Sequence, residues 1–123
     1  MNKGMPIVML IEDDITMLSL LRTLLEIEGY QVVNYVPEDD LLTPIRRIQP
    51  DIILLDVHYR RINGLDIMRS IRSDSQTRHV KVIMASGESV GSQCLEAGAD
   101  AFLLKPFMPE DLISNIKLFD GAN

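Results

Sequence analysis

The sequence holds no tryptophan, one cysteine, two histidines, three tyrosines and three phenylalanines in 123 residues. A single cysteine, Cys94, excludes an intramolecular disulfide framework and fits a reducing compartment. No apolar run approaches the roughly 20 residues needed to span a bilayer. The start, Met1-Asn2-Lys3-Gly4, carries no signal-peptide pattern. Positive charge is in deficit: 12 Lys and Arg stand against 18 Asp and Glu, a net charge of −6. That balance argues against direct binding of nucleic acid. Repeats at solenoid spacing, low-complexity segments and linkers are all missing. The expectation is one soluble cytoplasmic domain over residues 1–123, with neither a membrane nor nucleic acid as a direct partner.

What is present is a set of short apolar runs that end in polar residues. In Asp51-Ile52-Ile53-Leu54-Leu55-Asp56 four large apolar residues are stopped by an aspartate. A strand buried on both faces reads this way, because neither face tolerates a polar side chain. Ile7–Ile11 is a second such run, ending in Glu12-Asp13-Asp14. Gln31–Tyr35 partly alternates and reads as an edge strand; Val82–Ala85, ending in Ser86-Gly87, and Ala101–Leu104, ending in Lys105-Pro106, complete five.

Between the runs lie helical patterns. Met17, Leu18, Leu21, Leu24 and Leu25 share a face, with Asp14 placed to cap that helix and Gly29 to end it. Thr43-Pro44 reads as a cap followed by proline at the first helical position of a short helix reaching Ile48. Val57–Gly64 reads as a polar loop closed by Asn63-Gly64. Leu65, Met68 and Ile71 mark a helix ending near Asp74. A short helix over Val90–Ala97, closed by Gly98, and a last helix opened by Pro109 follow. Strands alternating with helices imply a parallel sheet covered on both faces.

In a parallel sheet the carboxyl ends of the strands share one rim, where ligands bind in open α/β folds. That rim would collect Glu12, Asp13, Asp14, Asp56, Ser86 and Lys105. Clustered carboxylates repel unless a cation intervenes. An all-oxygen set with few ligands suits Mg²⁺, which keeps several waters and shares a phosphate oxygen readily. Metal and lysine together can hold a phosphoryl group, with the serine hydroxyl donating to a further oxygen. A carboxylate in line with phosphorus is then a competent nucleophile, giving an acyl phosphate.

The motifs Met9-Leu10-Ile11-Glu12-Asp13-Asp14, Pro50–Val57, Asn63-Gly64-Leu65, Val82–Ser86 and Gly98–Phe107 stand in one order along the chain. Taken together, the sequence resembles the receiver domain of bacterial two-component response regulators over essentially its whole length. The resemblance implies a flavodoxin-like three-layer sandwich, a five-stranded parallel sheet of order 2-1-3-4-5 with five helices. It implies that Asp56 is the phospho-acceptor, with a sensor histidine kinase or phosphotransfer protein as donor. A downstream effector or output domain reads the signal, and a homodimer is among the assemblies it allows. The metal would be held by Glu12, Asp13, Asp56 and the backbone carbonyl of His58, with Asp13 the direct ligand of the acidic pair. Ser86 matches the switch hydroxyl, Lys105 the phosphate-contacting lysine and Phe102 the switch aromatic. Lys105-Pro106 matches a cis bond. His58 and Glu88 match the two side chains that border the path of water to the phosphoryl group. Such a domain is a substrate and a switch with slow self-dephosphorylation, not a turnover enzyme.

The chain departs from that pattern in places. Tyr59-Arg60 stands where Met-Pro is common, which frees a backbone and brings Arg60 and Arg61 near the pocket mouth. Gly87 replaces the commoner alanine, and the stretch from Ser86 to Gly98 is about one helical turn short. Singly, each candidate has an ordinary reading: Asp14 as a cap, Asp56 as a turn aspartate, Ser86 as a loop serine, Lys105 as a solvated surface lysine, Phe102 as core. Two other classes compete. A receiver-like interaction module working without phosphorylation is opposed by the intact set of Asp13, Asp56, Ser86 and Lys105. An aspartate-nucleophile phosphohydrolase needs Asp-x-Asp after its first strand, and Asp13-Asp14-Ile15-Thr16 does not supply it. A nucleotide or flavin site lacks its phosphate loop after Ile11.

Overall fold

The structure is a computed structural model and describes residues 4–120. Along the chain it runs β1 (Ile7–Ile11), α1 (Ile15–Ile27), β2 (Gln31–Asn34), α2 (Thr43–Ile48), β3 (Ile52–Asp56), α3 (Gly64–Ser73), β4 (Lys81–Ser86), α4 (Gly91–Glu96), β5 (Ala101–Leu104) and α5 (Pro109–Phe119). The five strands pair in parallel in the order β2-β1-β3-β4-β5. This is the flavodoxin-like arrangement expected from the sequence, and the order reverses direction between β1 and β3.

Alternation along each strand divides the core. Val8, Leu10, Ile52, Leu54 and Ile83 pack with Leu21 and Leu25 of α1 and with Leu112 and Ile116 of α5. Met9, Ile11, Ile53, Leu55 and Met84 pack on the other face with Ile45 of α2, Ile67, Met68 and Ile71 of α3, and Cys94 of α4. The unbroken apolar runs are therefore the signature of strands buried on both faces. Cys94 is fully buried, a packing residue.

Local chemistry sets the element ends. Asp14 caps α1, its Oδ1 accepting from Met17 N at 3.0 Å. Asn63 caps α3 by accepting from Leu65 N at 2.9 Å. Gly64 is required by space: its N–H donates to Val57 O at 2.7 Å, and a Cβ there would lie 2.7 Å from Val57 Cα. The start of α3 thus lies directly on the backbone that follows Asp56.

Two expectations need correction. Thr43 does not cap α2. Leu42 holds that position without a side-chain bond, and Thr43 opens the helix, so Pro44 is its second residue and not its first. The preceding turn is already closed by Asp40, whose Oδ1 accepts from Leu42 N at 3.0 Å and whose carbonyl accepts from Thr43 N at 3.1 Å. Nor is the stretch from Val57 to Gly64 uniformly polar. Val57 is buried and Tyr59 is only 1% exposed. The Tyr59 ring meets Tyr35 edge-on, centroids 5.7 Å apart. The Tyr35 hydroxyl donates to Leu41 O at 2.9 Å. Burial, then the neighbouring Tyr59, Asp40 and Glu38, push its pKa up to about 12, so it remains a donor.

Candidate functional site

Strand register brings the candidate residues together. Ile11 pairs with Leu55, so Glu12 leaves β1 level with Asp56 at the end of β3. Asp56 in turn pairs with Ala85, one residue before Ser86, and Ser86 pairs with Leu104, one residue before Lys105. The four strand ends meet on the carboxyl rim, as the order of the motifs requires.

Lys105 closes the centre. Its Nζ lies 2.7 Å from Glu12 Oε1 and 3.3 Å from Asp56 Oδ2. Burial alone would lower the lysine pKa, but the hydrogen bond and charge of Glu12, with the charge of Asp56, outweigh it and hold the ammonium above its usual value. Lys105-Pro106 is a cis bond, as expected. The second oxygen of Glu12, Oε2, accepts from Asp13 N at 3.0 Å and Asp14 N at 2.9 Å. Glu12 is therefore fully engaged by protein, with a side chain only 2% exposed.

Asp13 is arranged differently. Oδ2 accepts the main-chain N–H of Arg60 at 3.0 Å, and among the described residues Oδ1 accepts nothing. Asp56 Oδ1 accepts from His58 N at 3.2 Å. The carbonyl of His58 has no hydrogen-bond donor among the described residues. One carboxylate oxygen each from Glu12, Asp13 and Asp56 lies within 4.8 Å of the other two. Three carboxylates against one ammonium leave the cluster negative, and its donors are all oxygen. Such a set fits a hard divalent cation such as Mg²⁺. Of the three carboxylates, those of Asp13 and Asp56 are less engaged by protein than that of Glu12.

Around the centre, buried Ser86 accepts from Glu88 N through Oγ at 3.0 Å, which leaves its own proton free to be donated. His58 Nε2 stands 3.0 Å from Glu88 Oε1, and both side chains are largely exposed. Arg60 and Arg61 border a cavity of about 370 Å³ with Val57, His58, Glu88 and Val90, beside the loop that follows Asp56. Phe102 lies outside the cluster. It pairs with Met84, is half-buried, and its ring comes within 3.1 Å of where a Cβ on Gly91 would sit. Sequence reasoning missed Tyr59 as core and the Arg60 N–H as a partner of Asp13. The signal for the second was the missing proline, since only a non-proline residue carries that N–H.

A doubly wound parallel sheet with an acidic triad and a lysine at its switch point places the chain in the flavodoxin-like class. The chain belongs to the response regulator receiver domain family of two-component systems, whose model matches residues 8–117. It is 31% identical over 111 residues to the DNA-binding response regulator MtrA of Mycobacterium tuberculosis, covering 89% of this chain and 48% of that protein. The chain spans about half the length of those curated relatives. It is 27% identical to the polar-differentiation response regulator DivK of Brucella ovis, covering 93% of this chain and 95% of that one. A putative response regulator from Chloroflexus aurantiacus superposes with a TM-score of 0.86 at 27% identity, covering 97% of this chain and 100% of that chain. No helix among the described residues is long and apolar enough to cross a membrane.

Proposed function

We propose that residues 1–123 act as a single receiver domain that accepts a phosphoryl group on Asp56 from a histidine kinase or phosphotransfer protein. The observation that carries this reading is the Asp56 carboxylate held between Lys105 Nζ at 3.3 Å and the acidic pair that follows β1. In the transfer, an oxygen of Asp56 forms a bond to phosphorus as the phosphorus–nitrogen bond of the donor phosphohistidine breaks, and the imidazole leaves. Lys105 holds an equatorial phosphoryl oxygen with its ammonium, and the Ser86 hydroxyl donates to another.

Asp13, Asp56 and the His58 carbonyl would hold Mg²⁺, with Glu12 orienting the turn through Asp13 N and Asp14 N and balancing Lys105. When bound, the metal supplies positive charge that offsets the build-up of negative charge at the phosphoryl oxygens. Phosphorylation shifts the population between two conformations, with Ser86 drawn toward the phosphoryl group and Phe102 repositioned beside α4. A cytoplasmic effector or output domain, or a second copy of the chain, then reads the change. Incubation with a small acyl phosphate tests this reading. Intact mass should rise by one phosphoryl group with Mg²⁺ and stay unchanged with a chelator; labelling that ignores the metal would overturn the proposed role of the acidic cluster.

A further inference from the structure

The loop after Asp56 holds an arginine in a conformation that suits glycine. Arg60 has φ of 54°, in the left-handed region that side chains other than glycine rarely adopt. Ile62 N donates to Tyr59 O at 2.9 Å, which makes Tyr59–Ile62 a tight turn. Arg60 is its second residue and Arg61 does not share the positive φ. A positive φ at a central position of a tight turn is where glycine is preferred. A residue kept in a disfavoured conformation asks what the surroundings gain from it.

Two contacts answer. The left-handed turn aims the Arg60 N–H at Asp13 Oδ2, 3.0 Å away and 47 residues distant in the chain. The Arg60 guanidinium lies back over the ring of Tyr59, 5.3 Å from its centroid. Tyr59 is itself immobilised by burial and by its edge-on contact with Tyr35. The loop is thus pinned at one side in the core beneath α2 and at the other on Asp13.

We propose that the main-chain N–H of Arg60 is a positioning group for the metal-holding carboxylate of Asp13, anchored by Tyr59. The inference rests on the reading of Asp13 as a metal ligand. A carboxylate with one oxygen tied to a fixed N–H cannot rotate freely. Its other oxygen, Oδ1, is left as the one to meet a cation, and the outer-shell donor limits it to one-oxygen ligation. Proline at this position could not do this, because it has no N–H.

Three variants separate the parts. Arg60→Gly keeps the N–H, relieves the backbone and deletes the guanidinium. Arg60→Pro deletes the N–H and also forces φ negative, so the exchange measurement below isolates the N–H itself. Asp13→Ala deletes the acceptor. Mg²⁺ affinity is read by calorimetry on the full chain, with thermal melting as the check on folding. Arg60→Gly should bind Mg²⁺ within about threefold of wild type and melt no lower. Arg60→Pro should bind about tenfold more weakly, the lower end of losses on removing an outer-shell partner. Equal affinity in Arg60→Pro and Arg60→Gly overturns the proposal.

Hydrogen exchange covers the case in which Arg60→Pro does not fold. The Arg60 amide should be protected in wild type without metal, and that protection should vanish in Asp13→Ala while the amides of β3 keep theirs. Exchange unchanged in Asp13→Ala overturns the proposal on its own. If instead Asp13→Ala binds Mg²⁺ like wild type, the assignment of Asp13 as ligand fails, a result distinct from failure of the positioning role.

Discussion

The ammonium of Lys105 stands 2.7 Å from Glu12 Oε1, across 93 residues of chain. That contact ties the end of β5 to the end of β1 and places the lysine against Asp56 at the same time. It balances part of a cluster that would otherwise carry three facing carboxylates.

Removing this balance should be visible as a stability change that metal corrects. Lys105→Ala leaves a nearly buried Glu12 and Asp56 without their cation, at a cost of about 1–3 kcal/mol. Urea unfolding without metal should show that loss, and saturating Mg²⁺ should reduce it. A deficit that is the same with and without Mg²⁺ would mean the cation does not replace the lysine's charge.

Gly64 should resist substitution for reasons of space. A Cβ there meets Val57 Cα at 2.7 Å and Asp56 O at 2.8 Å, all backbone that cannot rotate away. Gly64→Ala should cost about 1–3 kcal/mol, the range for overpacking. Because the displaced backbone carries Asp56, labelling by acyl phosphate should slow as well. A variant as stable as wild type would show that α3 can move off the acceptor loop freely.

Acid sensitivity should arise away from the rim. Arg46 pairs with Asp40 at 2.8 Å and Asp74 at 2.9 Å, linking the turn before α2 to the end of α3. The backbone N–H of Leu42 and then Arg46 hold the Asp40 carboxyl below its usual range, and Arg46 does the same for Asp74. A folded-state pKa that is depressed gives stability that is present above the unfolded value of 3.8 and lost as pH falls through the folded value. Wild type should therefore exceed Arg46→Ala in stability near neutral pH, and the gap should close in the acid range below that value. A constant gap down to full protonation would assign the Arg46 effect to packing instead.

His58 and Glu88 form a contact too exposed to matter much for folding, at 65% and 69% side-chain exposure. Their effect should be kinetic, since the His58 N–H donates to Asp56 Oδ1 and the Glu88 N–H to Ser86 Oγ. His58→Ala and Glu88→Ala should each alter the lifetime of the aspartyl phosphate, and the double variant should depart from the sum of the two. Additive effects on hydrolysis would show that the two side chains act separately.

The strand runs were legible because a strand buried on both faces leaves no room for polar residues: Ile7–Ile11 and Ile52–Leu55 mark β1 and β3 almost to the residue. Convergence of Glu12, Asp56 and Lys105 followed, since parallel strands must share a rim. The cap at Thr43 misled because the bond that closes the turn comes from Asp40, three residues earlier, so local propensity pointed to the wrong side chain. Tyr59 was illegible for another reason. Between two polar flanks its burial depends on the edge-on partner Tyr35, which a linear reading cannot place beside it. Phe102 shows the same limit, as its close approach to Gly91 at the start of α4 joins residues that a linear reading does not bring together.

The central claim is that Asp56 carries the phosphoryl group. Intact-mass measurement after incubation with acyl phosphate and Mg²⁺, on wild type and on Asp56→Asn, tests it most directly. One phosphoryl group should add to wild type and none to the variant, because an amide is a poor nucleophile. Equal labelling of Asp56→Asn would contradict the assignment and move the acceptor elsewhere on the rim.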